Sequence, residues 1–191
     1  PYIIPSFWEF SDIRLIPKEV DLETVDFVLG TQDAKIQAFA NRFHPCWVFN
    51  LSITPPEIIE ETHERMHREF HPEGGAWKRR YMPQTVMVFV EADDANSDEE
   101  NRAIAQEDAR KAMEAYWSAM SGTIDQAKVE QGVSNALVGT PQDIVEQVRE
   151  RYHANSALML WFDFNDHHNE RVMRRMRIWM ERVQPLLDVN E

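Results

Sequence analysis

Four stretches of the chain are apolar almost without interruption, and turn residues bound them. Val25 to Leu29 runs into Gly30, and Cys46 to Leu51 runs into Thr54-Pro55-Pro56. Thr85-Val86-Met87-Val88-Phe89-Val90 and Ala157 to Phe164 are the other two. A strand with one wet face alternates polar and apolar residues, whereas a strand covered on both faces does not. The pattern therefore predicts parallel strands inside an α/β protein. Between them the period lengthens to that of a helix. Ala105, Ala109, Ala112, Tyr116 and Met120 make one apolar stripe, and Val172, Met176, Trp179, Val183 and Leu186 another. Ser97-Asp98-Glu99-Glu100 has the form of a capping box. Thr140-Pro141-Gln142-Asp143 sets an N-cap hydroxyl before a proline at the first helical position, where its missing N–H costs nothing. Together these predict four consecutive βα units in a single domain, residues 1–191, or half of a TIM-type (β/α)8 barrel.

Composition narrows the partners. At 191 residues, with 43% hydrophobic and 28% charged, the chain suits one globular domain. No run of about 18 apolar residues and no basic-then-apolar leader is present, so no membrane partner is expected and the cytoplasm is the expected location. The chain begins with Pro1, so residues upstream are expected. A formal charge of −13 repels phosphate backbones and argues against nucleic acid. The basic runs Lys78-Arg79-Arg80 and Arg171 to Arg177 read as solvated faces. The single Cys46, between Pro45 and Trp47, reads as a buried thiol.

The order of the last elements carries a resemblance. Leu137-Val138-Gly139-Thr140-Pro141-Gln142 opens a helix, Ala157 to Phe162 follows as a strand, and an amphipathic helix ends at Val183-Gln184-Pro185-Leu186-Leu187. This resembles the C-terminal end of the bacterial luciferase-like flavin-dependent monooxygenases. Phe7 to Lys18 resembles that family's entry into the fifth barrel strand, and Val28 to Ala34 the strand and turn at the flavin phosphate. Gln37 to Phe43, followed by Trp47-Val48-Phe49-Asn50, resembles the next helix and the strand beside the flavin ring. The resemblance implies a luciferase-like barrel of which this chain is about the last four βα units. It also implies FMN, with the deazaflavin cofactor as the alternative, a small organic substrate and a flavin reductase. Since the first four strands are absent, the missing N-terminal half-barrel or a second copy of the chain is expected to cover the open sheet. A non-catalytic flavin-binding or scaffold fragment that dimerises is the alternative role.

In a parallel barrel the functional face lies at the C-terminal strand ends. That rule selects Gly30-Thr31-Gln32, Asn50-Leu51, Glu91-Ala92-Asp93 and Asp163-Phe164-Asn165-Asp166. Gly30 permits close backbone approach, and the Thr31 hydroxyl with the amides opening the next helix suits a phosphate; equally, Thr31 is a simple N-cap. Gln32 belongs to the same turn. Asn50 suits hydrogen bonding to a flavin edge, or opens the turn that Thr54-Pro55-Pro56 completes. Catalytic residues are not assigned, because a flavin supplies its own redox chemistry. Ser121 to Val133 resembles the family's mobile loop over the site, and otherwise reads as a surface connector.

One motif points elsewhere. His63-Glu64-Arg65-Met66-His67 fits the helical zinc-peptidase pattern, and His71 continues its spacing. Arg65 within the motif, Glu73 at the place of a third histidine and the charged flanks oppose it, so no metal is expected. His167-His168 reads as a substrate or loop-capping pair, His153 as a helix C-terminal residue, and Met173, Met176 and Met180 as core.

Overall fold

The structure is a computed structural model and describes residues 21, 24–50, 56–121, 125–165 and 167–187. Phe7 to Lys18, Thr54-Pro55, Leu51 and Asp166 lie outside them. Among the described residues, strands β1 (Phe27–Leu29), β2 (Cys46–Val48), β3 (Gln84–Val90), β4 (Leu137–Gly139) and β5 (Leu158–Trp161) are interleaved with seven α-helices. These are α1 (Ala34–Ala40), α2 (Pro56–Glu69), α3 (Asp98–Ser121), α4 (Gln126–Asn135), α5 (Pro141–Arg151), α6 (Asn169–Ile178) and α7 (Gln184–Leu187); a π-helical turn, Trp179–Val183, joins the last two.

Every strand pairing among the described residues is parallel: β1 with β2, and β3 with both β4 and β5. The two sheets meet at one bridge, Asn50 to Gln84. Thr85 N–H donates to Asn50 O at 2.9 Å and Glu91 N–H to Gly139 O at 3.0 Å, whereas Gln84 N–H donates to Ala157 O at 2.9 Å. Successive N–H groups along a strand point to opposite sides. Asn50 and β4 therefore flank the same side of β3, and β5 the other. Strands β1, β2, β3 and β5 follow in chain order, as expected, and among the described residues the sheet does not close into a barrel. Strand β4 is an addition. It occupies the edge of β3 beyond Asn50, and at three residues it is too short for its pattern to show in the sequence.

The β3 strand is buried along its whole length, as its unbroken apolar run predicts. Val86, Val88 and Val90 pack with Leu137, Ile144, Val145, Ile178, Trp179 and Val183, while Met87 and Phe89 pack on Ala109, Ala112, Met113, Val129 and Val133. A third cluster joins Val48 to Ile59 and Met66 of α2, with Trp77 and Met82. Cys46 is buried, and burial pushes its thiol pKa up.

Several expectations are corrected. Met173, Met176 and Met180 are exposed, not core, because α6 turns Arg175 and Ile178 inward. The stripe through Val172 and Met176 is thus displaced, and only Trp179 and Val183 of it are buried. On α3 the stripe holds through Ala112 and ends exposed at Met120. Most of Ser121 to Val133 is the helix α4, capped by Asp125, whose carboxylate accepts from the Ala127 and Lys128 amides. Val129 and Val133, one turn apart, anchor it, and Gly132 lets it lie against Met113, whose sulfur an added Cβ would meet at 2.6 Å. The Arg171 to Arg177 run is not simply a solvated face: Arg175 is fully buried, paired with Asp108 and set over the Phe89 ring. Arg79, within the other basic run, is paired with Glu60.

Helix α1 is inverted. Its buried positions are Gln37 and, at its C-cap, Asn41, both hydrogen-bonded to backbone, while Ile36, Phe39 and Phe43 face outward.

Candidate functional site at the C-terminal strand ends

The turn after β1 and the end of β2 bring two of the four expected site residues into contact. Gln32 Nε2 donates to Asn50 Oδ1 at 3.0 Å. Asn50 is fully buried at the junction of the two sheets, with its own N–H on Pro83 O at 3.0 Å. Among the described residues its Nδ2 has no hydrogen-bond partner. A buried amide donor left without an acceptor costs about 1–3 kcal/mol, so this atom has a hydrogen bond to give beyond the described residues. Thr85, whose N–H bonds Asn50 O, likewise has a buried hydroxyl without a partner among the described residues.

Gly30 and Thr31 stand differently. A Cβ built on Gly30 meets nothing within 4 Å, so the space beside this backbone is open. The N-cap of α1 is Asp33, not Thr31: its carboxylate accepts from Lys35 N–H at 2.8 Å and from Ile36 N–H, while Thr31 Oγ1 accepts from Asp33 N–H at 3.1 Å. The amides that a phosphate would use are held by an anionic side chain. The start of α1 therefore offers a phosphate no free amide at Lys35 or Ile36.

At the end of β3, Glu91 is buried and accepts from Arg174 Nη2 at 2.6 Å and from the Ala92 N–H. Arg171 and Arg175 converge on Asp108 from the same helix. His168, Glu170, Arg171 and Arg174 border an open depression of about 360 Å³. Sequence reasoning selected Glu91 but not Arg174; an arginine one turn from apolar positions looked like any solvated charge. Phe164 is buried against Tyr116 and Trp161, and Asn165 adopts a left-handed turn with φ of 46°.

The zinc-type motif is not assembled as a ligand set. His63 is buried, and its Nδ1 accepts from Trp77 Nε1–H at 3.1 Å, which places the ring proton on Nε2. Burial foremost, and then the Arg79 charge, lower its pKa to about 4. His67 is exposed, and among the described residues no three His, Cys, Asp or Glu side chains are grouped to hold a metal. His153 Nδ1 accepts from Asn155 N–H at 3.0 Å and so serves a turn. No described helix is long and apolar enough to cross a membrane.

No family model matches the chain, and neither does any curated protein. Solved structures do. Monooxygenase RslO1 of Streptomyces bottropensis aligns over 84% of this chain and 48% of its own, with a TM-score of 0.61 at 22% identity. The oxygenating constituent of 3,6-diketocamphane monooxygenase of Pseudomonas putida, a type II Baeyer-Villiger enzyme in complex with FMN, aligns over 83% and 47%, with a TM-score of 0.49 at 16% identity. The chain thus shares its α/β fold with about half of the RslO1 structure and spans about half the length of the structures it matches.

Proposed function

We propose that this chain is the C-terminal half of a luciferase-like flavin-dependent monooxygenase acting on a small organic substrate. FMN is the preferred cofactor and the deazaflavin the alternative. When bound, the flavin supplies the redox chemistry; the chain's residues bind and orient it. The reading rests on the buried, unpartnered Nδ2 of Asn50, held in orientation by Gln32 at the C-terminal ends of parallel strands. In this reading the Asn50 amide donates to a ring carbonyl, and Gln32 keeps the amide from rotating. Gly30 leaves room for the ring to approach the backbone. A flavin reductase supplies reduced cofactor in the cytoplasm, and the other half-barrel or a second copy covers the sheet.

Titrating FMN against its fluorescence, with the wild type and Asn50→Leu, tests the reading. Loss of one buried hydrogen bond of about 1.4 kcal/mol weakens binding about tenfold. Equal affinity of the two proteins, or no binding by either, would remove flavin from the proposal. A second role, non-catalytic flavin binding by a fragment that dimerises, is favoured by one observation: Asp33 occupies the amides opening α1. Absence of turnover when the FMN complex is reduced under oxygen supports that role.

A further inference from the structure

We infer that His63, the first histidine of the zinc-type motif, holds a buried water molecule together with Arg79, and that this water ties α2 to the turns leading into β3 and β5. The inference concerns the N-terminal ends of the strands and does not rest on flavin binding.

His63 is 3% exposed, and a neutral imidazole has one ring lone pair to offer. Trp77 Nε1–H takes it, since its bond to Nδ1 is 3.1 Å long, and the ring proton is left on Nε2. Among the described residues this Nε2–H meets no acceptor. A buried donor without a partner forfeits the hydrogen bond it made in water, so the group is worth more with an acceptor than without one. Whatever lies opposite must accept. That requirement excludes a cation, because a metal needs the lone pair that Trp77 has fixed on the other nitrogen.

A second buried donor stands beside the first. Glu60 and His63 are three residues apart on α2, which puts their Cβ atoms about 5–6 Å apart on one face. Arg79, at the start of the 3-10 turn Arg79–Tyr81, bonds the Glu60 carboxylate through both Nη atoms, Nη1 reaching Oε2 at 3.0 Å. Its Nε–H is buried and has no partner among the described residues. Two donors on adjoining side chains thus lack an acceptor.

A third group comes from the turn before β5. His153 acts electrostatically on both Glu60 and His63, which brings that turn to the same flank of α2. The turn closes with Ser156 N–H on His153 O at 2.9 Å, and Gln84 N–H on Ala157 O fixes it beside the start of β3. The Ser156 hydroxyl is buried and again without a partner among the described residues.

The count of bonds selects the occupant. Glu60 already meets the Arg79 charge and His63 is neutral near pH 7, so an anion would enter with no counter-charge of its own. Water accepts from both nitrogens and donates to the Ser156 oxygen. Three bonds are the usual complement of a buried water.

A crystal structure of the 191-residue chain, grown with sodium bromide in place of chloride, tests this. The expected result is a peak about 2.7–3.2 Å from both His63 Nε2 and Arg79 Nε, with no anomalous signal at the bromine edge. Arg79→Lys keeps a cation for Glu60 and removes the Nε–H, so the water should lose half or more of its occupancy while His63 stays bonded to Trp77. Should that variant fail to fold, Ser156→Ala removes the acceptor at little cost in volume and should lower the occupancy likewise. An empty site overturns the inference, as does a side chain of this chain filling it. An anomalous peak assigns the site to an anion instead, and full occupancy in the variant takes its Arg79 or Ser156 contact out of the site.

Discussion

Gln147 grips Val138 as a neighbouring strand would: its Oε1 accepts from Val138 N–H at 3.2 Å, and its Nε2 donates to Val138 C=O at 2.8 Å. One side chain from α5 thus satisfies both outward backbone groups of β4. Gln147→Leu should cost about 1–3 kcal/mol, because both groups then lose their partner on a half-buried edge. A lowered urea midpoint together with increased light scattering would bear this out; an unchanged midpoint would mean that water replaces the amide without loss.

The His63 and Trp77 contact predicts a pH dependence of stability. The folded pKa of His63 is about 4, below its ordinary value of 6.5. Between those values the unfolded chain binds a proton that the folded chain does not, so stability is full above about pH 6.5 and falls as pH drops towards 4. The loss reaches about 3 kcal/mol. His63→Gln keeps an acceptor for the Trp77 N–H and cannot take up a proton, so chemical denaturation across this range should show a flatter profile. An identical slope in the variant would assign the loss to carboxylates.

The start of α5 is fixed by a tight local arrangement. Thr140 and Asp143 form a capping box, and Arg102 donates to Asp143 at 2.8 Å. Burial raises the Asp143 pKa, but hydrogen bonds from Arg102 and from Thr140 outweigh it and hold the carboxyl below its ordinary range. Gly139 lies at φ of 138°, where an added Cβ would sit 2.7 Å from Asp143 Oδ2. Gly139→Ala is therefore expected to destabilise by more than about 1 kcal/mol, from backbone strain and displacement of the cap together. Thr140→Ala should cost about 1 kcal/mol through the cap alone. Thermal midpoints that rank the two the other way would refute the strain argument.

Much of this was legible from residues alone. The unbroken run of β3 and the capping signals at Ser97 and Thr140 needed only local chemistry, and both boxes form, with Glu100 Oε2 accepting from Ser97 N–H at 2.7 Å. The pairing of Gln32 with Asn50 was not legible, since it depends on where two parallel strands end relative to each other. Neither was the burial of Arg175, whose position depends on Asp108 sixty-seven residues away. The α4 segment was misread because Gly132 and Ser134 weaken its pattern, while its anchoring by Val129 and Val133 depends on α3 being beside it.

Arg175 and Asp108 give an asymmetric prediction. Asp108→Ala leaves a buried guanidinium short of a carboxylate and should cost about 3–5 kcal/mol, whereas Arg175→Met substitutes an apolar side chain of similar length over Phe89 and should cost far less. Equal losses in thermal denaturation would show that the arginine contributes mainly through its charge.

The π-helical turn at Trp179–Val183 bears on where α6 directs its exposed methionines. Such a turn holds one residue more than an α-helix does, so it rotates everything before it against everything after it. Ile178, Trp179 and Val183 all pack into the same cluster across this turn. Removing a single residue within the turn would bring the two segments back into phase and swing Met173 and Met176 to a new bearing. The outward methionine face thus hangs on a one-residue difference in spacing, a change too small to alter composition and large enough to choose which surface this chain shows to its surroundings.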